Sequence, residues 1–102
     1  MKIIARLVEM MKEELEDSEK YAICALEYKT QFPKLAQRFH DLANGEMQHM
    51  KILHSEAERM IQDLREQEGD PSPEMLAIYN YEHERLIKKA ASVKSIIDEF
   101  DQ

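Results

Sequence analysis

Hydrophobic residues recur every three or four positions along most of the chain, which is the spacing of one face of an α-helix. This pattern is broken in only two places, at Pro33 and at the Gly-Asp-Pro-Ser-Pro segment 69–73. The pattern therefore predicts an all-α protein with three helices, at residues 3–29, 33–67 and 73–100. With 102 residues, we expect one domain spanning residues 1–102, built as a long antiparallel helical hairpin plus a third helix.

The residues at the breaks suit helix ends. Pro33 and Pro73 fit the first turn of a helix, where a missing backbone N–H costs nothing. Ser72 is a good N-cap for the third helix, and Gly69 suits the position just after the second. Phe32 is a poor cap, so the start of the second helix is less well defined by the sequence.

The second helix is apolar over a wide arc. One stripe of residues three or four apart contains Leu35, Phe39, Leu42, Glu46, His49, Leu53 and Met60. A neighbouring face carries Ala43, Met47, Met50, Ala57 and Ile61. We therefore expect this helix to be buried on two sides. Because a chain of this length has few other surfaces to cover it, oligomerisation is expected.

Glu46 and His49 interrupt the first of these stripes. Side chains at i and i+3 lie on one helix face, about 5–6 Å apart at Cβ, which suits a carboxylate and an imidazole that bind one metal ion. A buried glutamate costs several kcal/mol unless it is paired or coordinated. The alternatives are that the two residues lie at a wet edge, or form a hydrogen-bonded pair without metal.

The first helix supplies a third possible ligand, at the same height along the helical hairpin as Glu46 and His49. If the first two helices form an antiparallel hairpin that bends near Gln31, Glu14 lies level with Glu46 and His49. Glu14 also interrupts an apolar stripe, between Met11 and Tyr21. Glu16 is rotated by about 200° from Glu14 and should face outward. The spacing thus predicts a metal site built by Glu14, Glu46 and His49.

The remaining histidines fit this site less well. His40 and His54 point away from His49 around the helix, so both are interpreted as surface or interface histidines. Folding back about residue 70 places Glu82 and His83 level with residues 56–58, while the segment level with the predicted site, residues 91–93, offers no ligand. Glu82 and His83 could form a second, weaker metal site. The alternative is that His83 only packs or makes a hydrogen bond and binds no metal.

Three ligands per chain are too few for two metal ions. Two chains related by a two-fold axis would supply four carboxylates and two imidazoles, and two divalent ions would balance the four carboxylates. The dimer interface should then be centred on the ligand layer, with either Met47 and Met50 or Leu42 and Leu53 packing above and below it.

Composition and charge exclude several other classes. Two glycines and three prolines are too few for the turns of a β-sandwich or barrel. A net charge of −7 argues against nucleic acid and anionic membranes as partners. No apolar run approaches the ~20 residues that span a bilayer. The N-terminal residues do not resemble a signal peptide, so we expect a cytoplasmic protein. A lone cysteine, Cys24, cannot form an internal disulfide.

The segment Glu13-Glu14-Leu15-Glu16 followed by Tyr21, and then Glu46-Met47-Gln48-His49, resembles the first half of a rubrerythrin or another protein of the ferritin-like di-iron superfamily. It is more similar still to the half-length, encapsulated-ferritin type, in which a dimer completes the four-helix bundle. The resemblance covers roughly residues 7–67. The chain has no second Glu-x-x-His and no C-x-x-C motif.

The resemblance implies a ferritin-like four-helix bundle completed by dimerisation, with Glu14, Glu46 and His49 as iron ligands and Tyr21 as a hydrogen-bond partner near them. It implies two Fe per dimer, although Mn or Zn would suit the same ligands. The implied activity is oxidation of Fe(II) by dioxygen or peroxide at a homodimer interface. Residues 97–102 lack the loading tail of encapsulated ferritins, so an encapsulating shell is not expected as a partner. The alternative function is a non-catalytic helical interaction or assembly protein.

Overall fold

The computed structural model describes residues 2–102, which form three α-helices: α1, Lys2–Tyr28; α2, Pro33–Glu68; and α3, Pro73–Glu99. Each boundary differs from the predicted one by no more than one residue. No strand occurs in the described part of the chain, so the prediction of an all-α protein is confirmed. None of the helices in residues 2–102 has an apolar stretch long enough to cross a membrane.

The helix ends follow the chemistry of the residues at the breaks. Ser72 Oγ accepts a hydrogen bond of 3.2 Å from the backbone N–H of Met75, which caps α3. Gly69 ends α2 with a positive φ of 82°, which a residue with a side chain rarely adopts. Phe32 makes no side-chain cap at the start of α2, where Pro33 occupies the first turn instead.

α1 and α2 form the antiparallel hairpin. Ser18 Oγ donates a 2.8 Å hydrogen bond across the hairpin to the backbone oxygen of Ala43. Tyr21 stacks on Phe39 one turn closer to the bend, with ring centroids 6.3 Å apart. The paired residues are nearly equidistant from Gln31, so the hairpin has the predicted register. The 36 residues of α2 account for about 54 Å of helix, which matches the molecule's long axis of 55 Å.

α3 runs alongside α1 in the same direction. Lys12 lies 3.2 Å from Glu82, and Lys89 lies 2.8 Å from Glu19, so both ion pairs join residues in the same chain order. α3 packs mainly against α1 and touches α2 much less. This arrangement leaves the groove between α2 and α3 more open than the groove between α1 and α2.

The core lies where the three helices meet, and small residues let them approach closely. It consists of Met11, Leu15, Ala22, Ala43, Met47, Met50, Ala57, Leu86, Val93 and Ile97. Met47 and Met50 are therefore buried in the core of the single chain. They are not available to pack against a second chain. Within the single chain one side of α2 is buried, while Leu35 and Leu42 on the other stripe are exposed, so the burial of that stripe by a second chain stays a prediction.

His40 corrects another sequence-based interpretation. It was expected at the surface or an interface, but only 8% of it is exposed. Its ring stacks on Phe100 at a centroid distance of 4.3 Å. The partner ring follows the end of α3, so the burial of His40 depends on how the third helix docks and could not be read from the pattern of α2.

Candidate metal centre

Glu14 on α1 meets Glu46 and His49 on α2. One ligand atom from each residue lies within 4.8 Å of the other two. His49 Nδ1 is 3.6 Å from Glu14 Oε2 and 3.8 Å from Glu46 Oε2. These distances exceed those of ordinary hydrogen bonds. The three side chains thus surround a common point, with His49 Nδ1 just beyond hydrogen-bond distance of both carboxyl groups.

Two features of the sequence position these side chains. The i, i+3 spacing places Glu46 and His49 on one face of α2, and the hairpin register brings Glu14 to the same level. Glu16, two residues further along α1, is exposed, as its position around the helix predicts. The convergence therefore depends on helix geometry and the hairpin bend, and not on any irregular loop.

The cluster lies at the edge of the chain and opens outward through His49. The side chains of Glu14 and Glu46 are 26% and 21% exposed, whereas that of His49 is 59% exposed. The carboxylates are thus more buried than the imidazole, whose Nδ1 atom lies within 3.8 Å of both carboxyl groups while much of the rest of the ring is open to solvent.

Glu14 is poorly satisfied in the isolated chain. Its Oε2 atom is buried, and no donor in residues 2–102 makes a hydrogen bond to it. The pKa of Glu14 is raised, mainly because a proton can be shared with the Glu46 carboxyl, and also because burial and repulsion by Glu46 disfavour the charged form. His49 acts in the opposite direction. Two carboxylates that compete for one proton, with an imidazole beside them, are a donor set that suits a divalent cation.

Within the described residues, α3 contributes no ligand to this cluster. Tyr21 lies two turns along α1 from Glu14 and stacks on Phe39. No hydrogen bond joins Tyr21 to the three cluster residues in the described part of the chain. Its role as a partner of the ligands stays a prediction.

Exposed apolar residues flank the ligand layer. Leu42 precedes Glu46 by one helical turn and is 46% exposed, and Ile52 follows His49 and is 63% exposed. Met10 lies one turn before Glu14 and is also exposed. Gly45, in the middle of α2 on this same side, has open space where a side chain would lie. A glycine inside a helix costs about 0.5–1 kcal/mol relative to alanine, and nothing within the chain requires it here.

A second polar cluster, formed by His54, Glu58 and His83, was not predicted as a unit from the sequence. His54 on α2 and His83 on α3 are in direct contact, and Glu58 lies against His54. The predicted level of His83 beside residues 56–58 was the available signal, but His54 was interpreted separately from it.

No protein-family model matches the chain, and no significantly similar curated protein or solved structure was found.

Proposed function

We propose that the protein is a ferritin-like homodimer that binds two iron ions between its chains and oxidises Fe(II). Glu14, Glu46 and His49 of each chain would be the ligands. The observation that carries the proposal is the convergence of these three side chains around a buried carboxylate oxygen that lacks a hydrogen-bond donor. A polar pair retained only to fix helix register would be expected to satisfy its own hydrogen bonds.

The charge balance supports a site shared by two chains. One chain offers two carboxylates and one imidazole, and the side chain of His49 is 59% exposed, so a second chain could reach it. Two copies would bring four carboxylates together, and two divalent ions would neutralise them. Without metal the carboxylates would repel, so metal binding and dimerisation should favour each other.

The surface around the cluster supports the same arrangement. Leu42, Ile52 and Met10 would be covered by a second chain that approaches along the ligand layer. The space beside Gly45 would let the backbone of the partner's helix come close. Leu42 would then pack beside the ligands together with the exposed part of Leu53, since Met47 and Met50 are buried in the core of each chain and Leu53 is only partly buried against it.

Fe(II) is the substrate of the proposed reaction. Each ion would lose one electron to dioxygen or peroxide, which takes up protons from water as it is reduced. Carboxylate ligands stabilise Fe(III) more than Fe(II), so the donor set favours oxidation. Glu14, Glu46 and His49 would hold the ions, with the Glu46 carboxylate as the ligand expected to contact both. Mn and Zn remain alternative ions for the same ligands.

Metal analysis of the purified protein is the direct test. We expect about one Fe per chain after loading with Fe(II), a rise in melting temperature on loading, and accelerated formation of Fe(III) measured by its absorbance. Glu46→Ala should lose all three effects. Glu13→Ala, an exposed neighbour of Glu14, is the matched control and should retain them.

Equal melting curves with and without saturating Fe(II), Mn(II) or Zn(II) would refute the metal site. The helical interaction protein would then become the better interpretation. Metal binding without Fe(II) oxidation would leave a structural metal site and refute the enzymatic part alone.

A further inference from the structure

His54 of α2 and His83 of α3 face each other across the open groove between these helices. Their rings stack with centroids 5.4 Å apart and planes inclined by 25°. His54 Nε2 and His83 Nδ1 are 3.5 Å apart. Since α3 touches α2 only sparsely, this pair is one of the few polar contacts between the two helices.

Glu58 lies beside His54. Its Oε1 atom lies 3.2 Å from His54 Nδ1, one helical turn away on α2. A carboxylate this close to Nδ1 favours the tautomer with the proton on Nδ1, which leaves a lone pair on Nε2, the atom that faces His83. A carboxylate behind the outer nitrogen of a histidine is the usual support of a metal-binding imidazole, because it fixes the ring and makes the ligand nitrogen more basic.

We propose that His54 Nε2 and His83 Nδ1 are two ligands of a second metal site, which takes Zn²⁺ or a similar divalent ion that prefers imidazole nitrogen. For a tetrahedral ion with metal–nitrogen bonds of about 2.0–2.1 Å, two ligand nitrogens lie about 3.3–3.4 Å apart. The observed separation of 3.5 Å needs little adjustment. Both rings also line a cavity of about 380 Å³ between the helices, which has room for water as the remaining ligands.

The second site is independent of the proposed iron site. His54 follows His49 by five residues, which is about 140° around the helix, so the two histidines serve different sides of α2. The iron site joins α1 to α2 and is rich in carboxylates, whereas the second site joins α2 to α3 through nitrogen ligands. An ion bound there would tie α3 to the helix that it otherwise contacts least.

Isothermal titration of Zn²⁺ into a His49→Ala variant tests the inference, because this background removes a ligand of the other cluster. We expect saturable binding of one Zn²⁺ per chain. Adding His83→Ala should weaken the affinity at least about tenfold, and adding Glu58→Gln should weaken it by about tenfold because His54 loses its supporting charge. Adding Glu84→Ala, at an exposed residue next to His83, is the matched control and should change nothing.

His83 is exposed, so its replacement should leave the helical content unchanged, and circular dichroism checks this. His54→Gln, which keeps a polar side chain at the α2 position, gives a second loss of a ligand and should weaken Zn²⁺ binding to a similar degree. Equal Zn²⁺ affinity in the His49→Ala protein with and without the His83→Ala change would overturn the proposal. So would the absence of saturable Zn²⁺ binding by the His49→Ala protein.

Discussion

Glu14 combines burial with a neighbour of like charge. Its Oε2 atom has no hydrogen-bond donor among residues 2–102, and the adjacent Glu46 carboxyl raises its pKa. A carboxylate in this position opposes folding when it is ionised and no cation lies beside it. The free energy of unfolding of the metal-free protein should therefore report on this one carboxylate.

Glu14→Gln should stabilise the metal-free protein at neutral pH. Because the pKa of Glu14 is raised in the folded state, the folded chain binds this proton more tightly than the unfolded chain does. Its contribution to the free energy of unfolding thus falls as the pH rises from the ordinary carboxyl value of 4.5 through the raised pKa.

Thermal unfolding with a chelator present, at a series of pH values, measures this effect. The variant should melt a few degrees above the wild type at pH 7, and the difference should shrink as the pH approaches 4.5. Glu13→Gln, at an exposed neighbouring position, should show no such pH-dependent gain. A variant that is less stable than the wild type at neutral pH would show that Glu14 is already satisfied.

The helices themselves could be predicted from the sequence to within a residue. Helical periodicity is a local property, and Pro33, Gly69 and Ser72 mark the ends through their own backbone chemistry. The level of Glu14 beside His49 followed from helix geometry and one assumption about the bend. The burial of His40 against Phe100 could not be predicted, because it depends on where α3 docks. The level of His83 beside residues 56–58 could be predicted, but its contact with His54 also depends on the docking of α3.

Ser72→Ala should destabilise the protein through the start of α3. The variant loses the hydrogen bond that Ser72 Oγ accepts from Met75 N, which leaves a helix N–H without a partner. The expected cost is about 1 kcal/mol, or a drop in melting temperature of roughly 4–8 °C. Ser92→Ala, exposed in the middle of α3, should change the melting temperature much less. A change of equal size in both variants would mean that the cap contributes nothing specific.

The whole molecule is long and thin, with extents of 55 × 19 × 18 Å. α1 and α3 together cover only one side of α2. The stripe of α2 that carries the proposed ligands therefore remains open to solvent. Exposed apolar residues such as Leu42 then lie beside partly buried charged ones. A second copy of the chain packed along this stripe would cover the exposed apolar residues and, with metal bound, would balance the partly buried charges.

Leu42→Glu should abolish the proposed dimer while leaving the fold of each chain intact, because Leu42 is exposed and a charge there would face the partner's apolar surface. Sedimentation velocity at micromolar concentration, with metal present, measures the change from dimer to monomer. Ile87→Glu, a similar exposed residue on α3, should remain dimeric. A wild-type protein that sediments as a monomer would contradict the dimer directly.

Gly45→Ala gives opposite expectations for the chain and the dimer. Alanine should stabilise α2 by about 0.5–1 kcal/mol, since nothing in the chain occupies the space beside Gly45. If a partner helix approaches there, the same methyl group should weaken self-association. Concentration-dependent thermal unfolding separates the two effects, because only the association part changes with protein concentration. A gain in stability at every concentration would indicate that no partner helix lies against Gly45.

The hairpin register also restricts how the length of the chain can change during evolution. Deleting one residue between Glu14 and the bend would shift Glu14 by about 1.5 Å along α1 and rotate it by about 100°, away from His49. A second deletion in the matching stretch of α2 would not restore the rotation. Insertions and deletions should therefore be tolerated best in residues 69–72, but be removed by selection between Glu14 and His49, even at exposed positions whose substitution would be neutral.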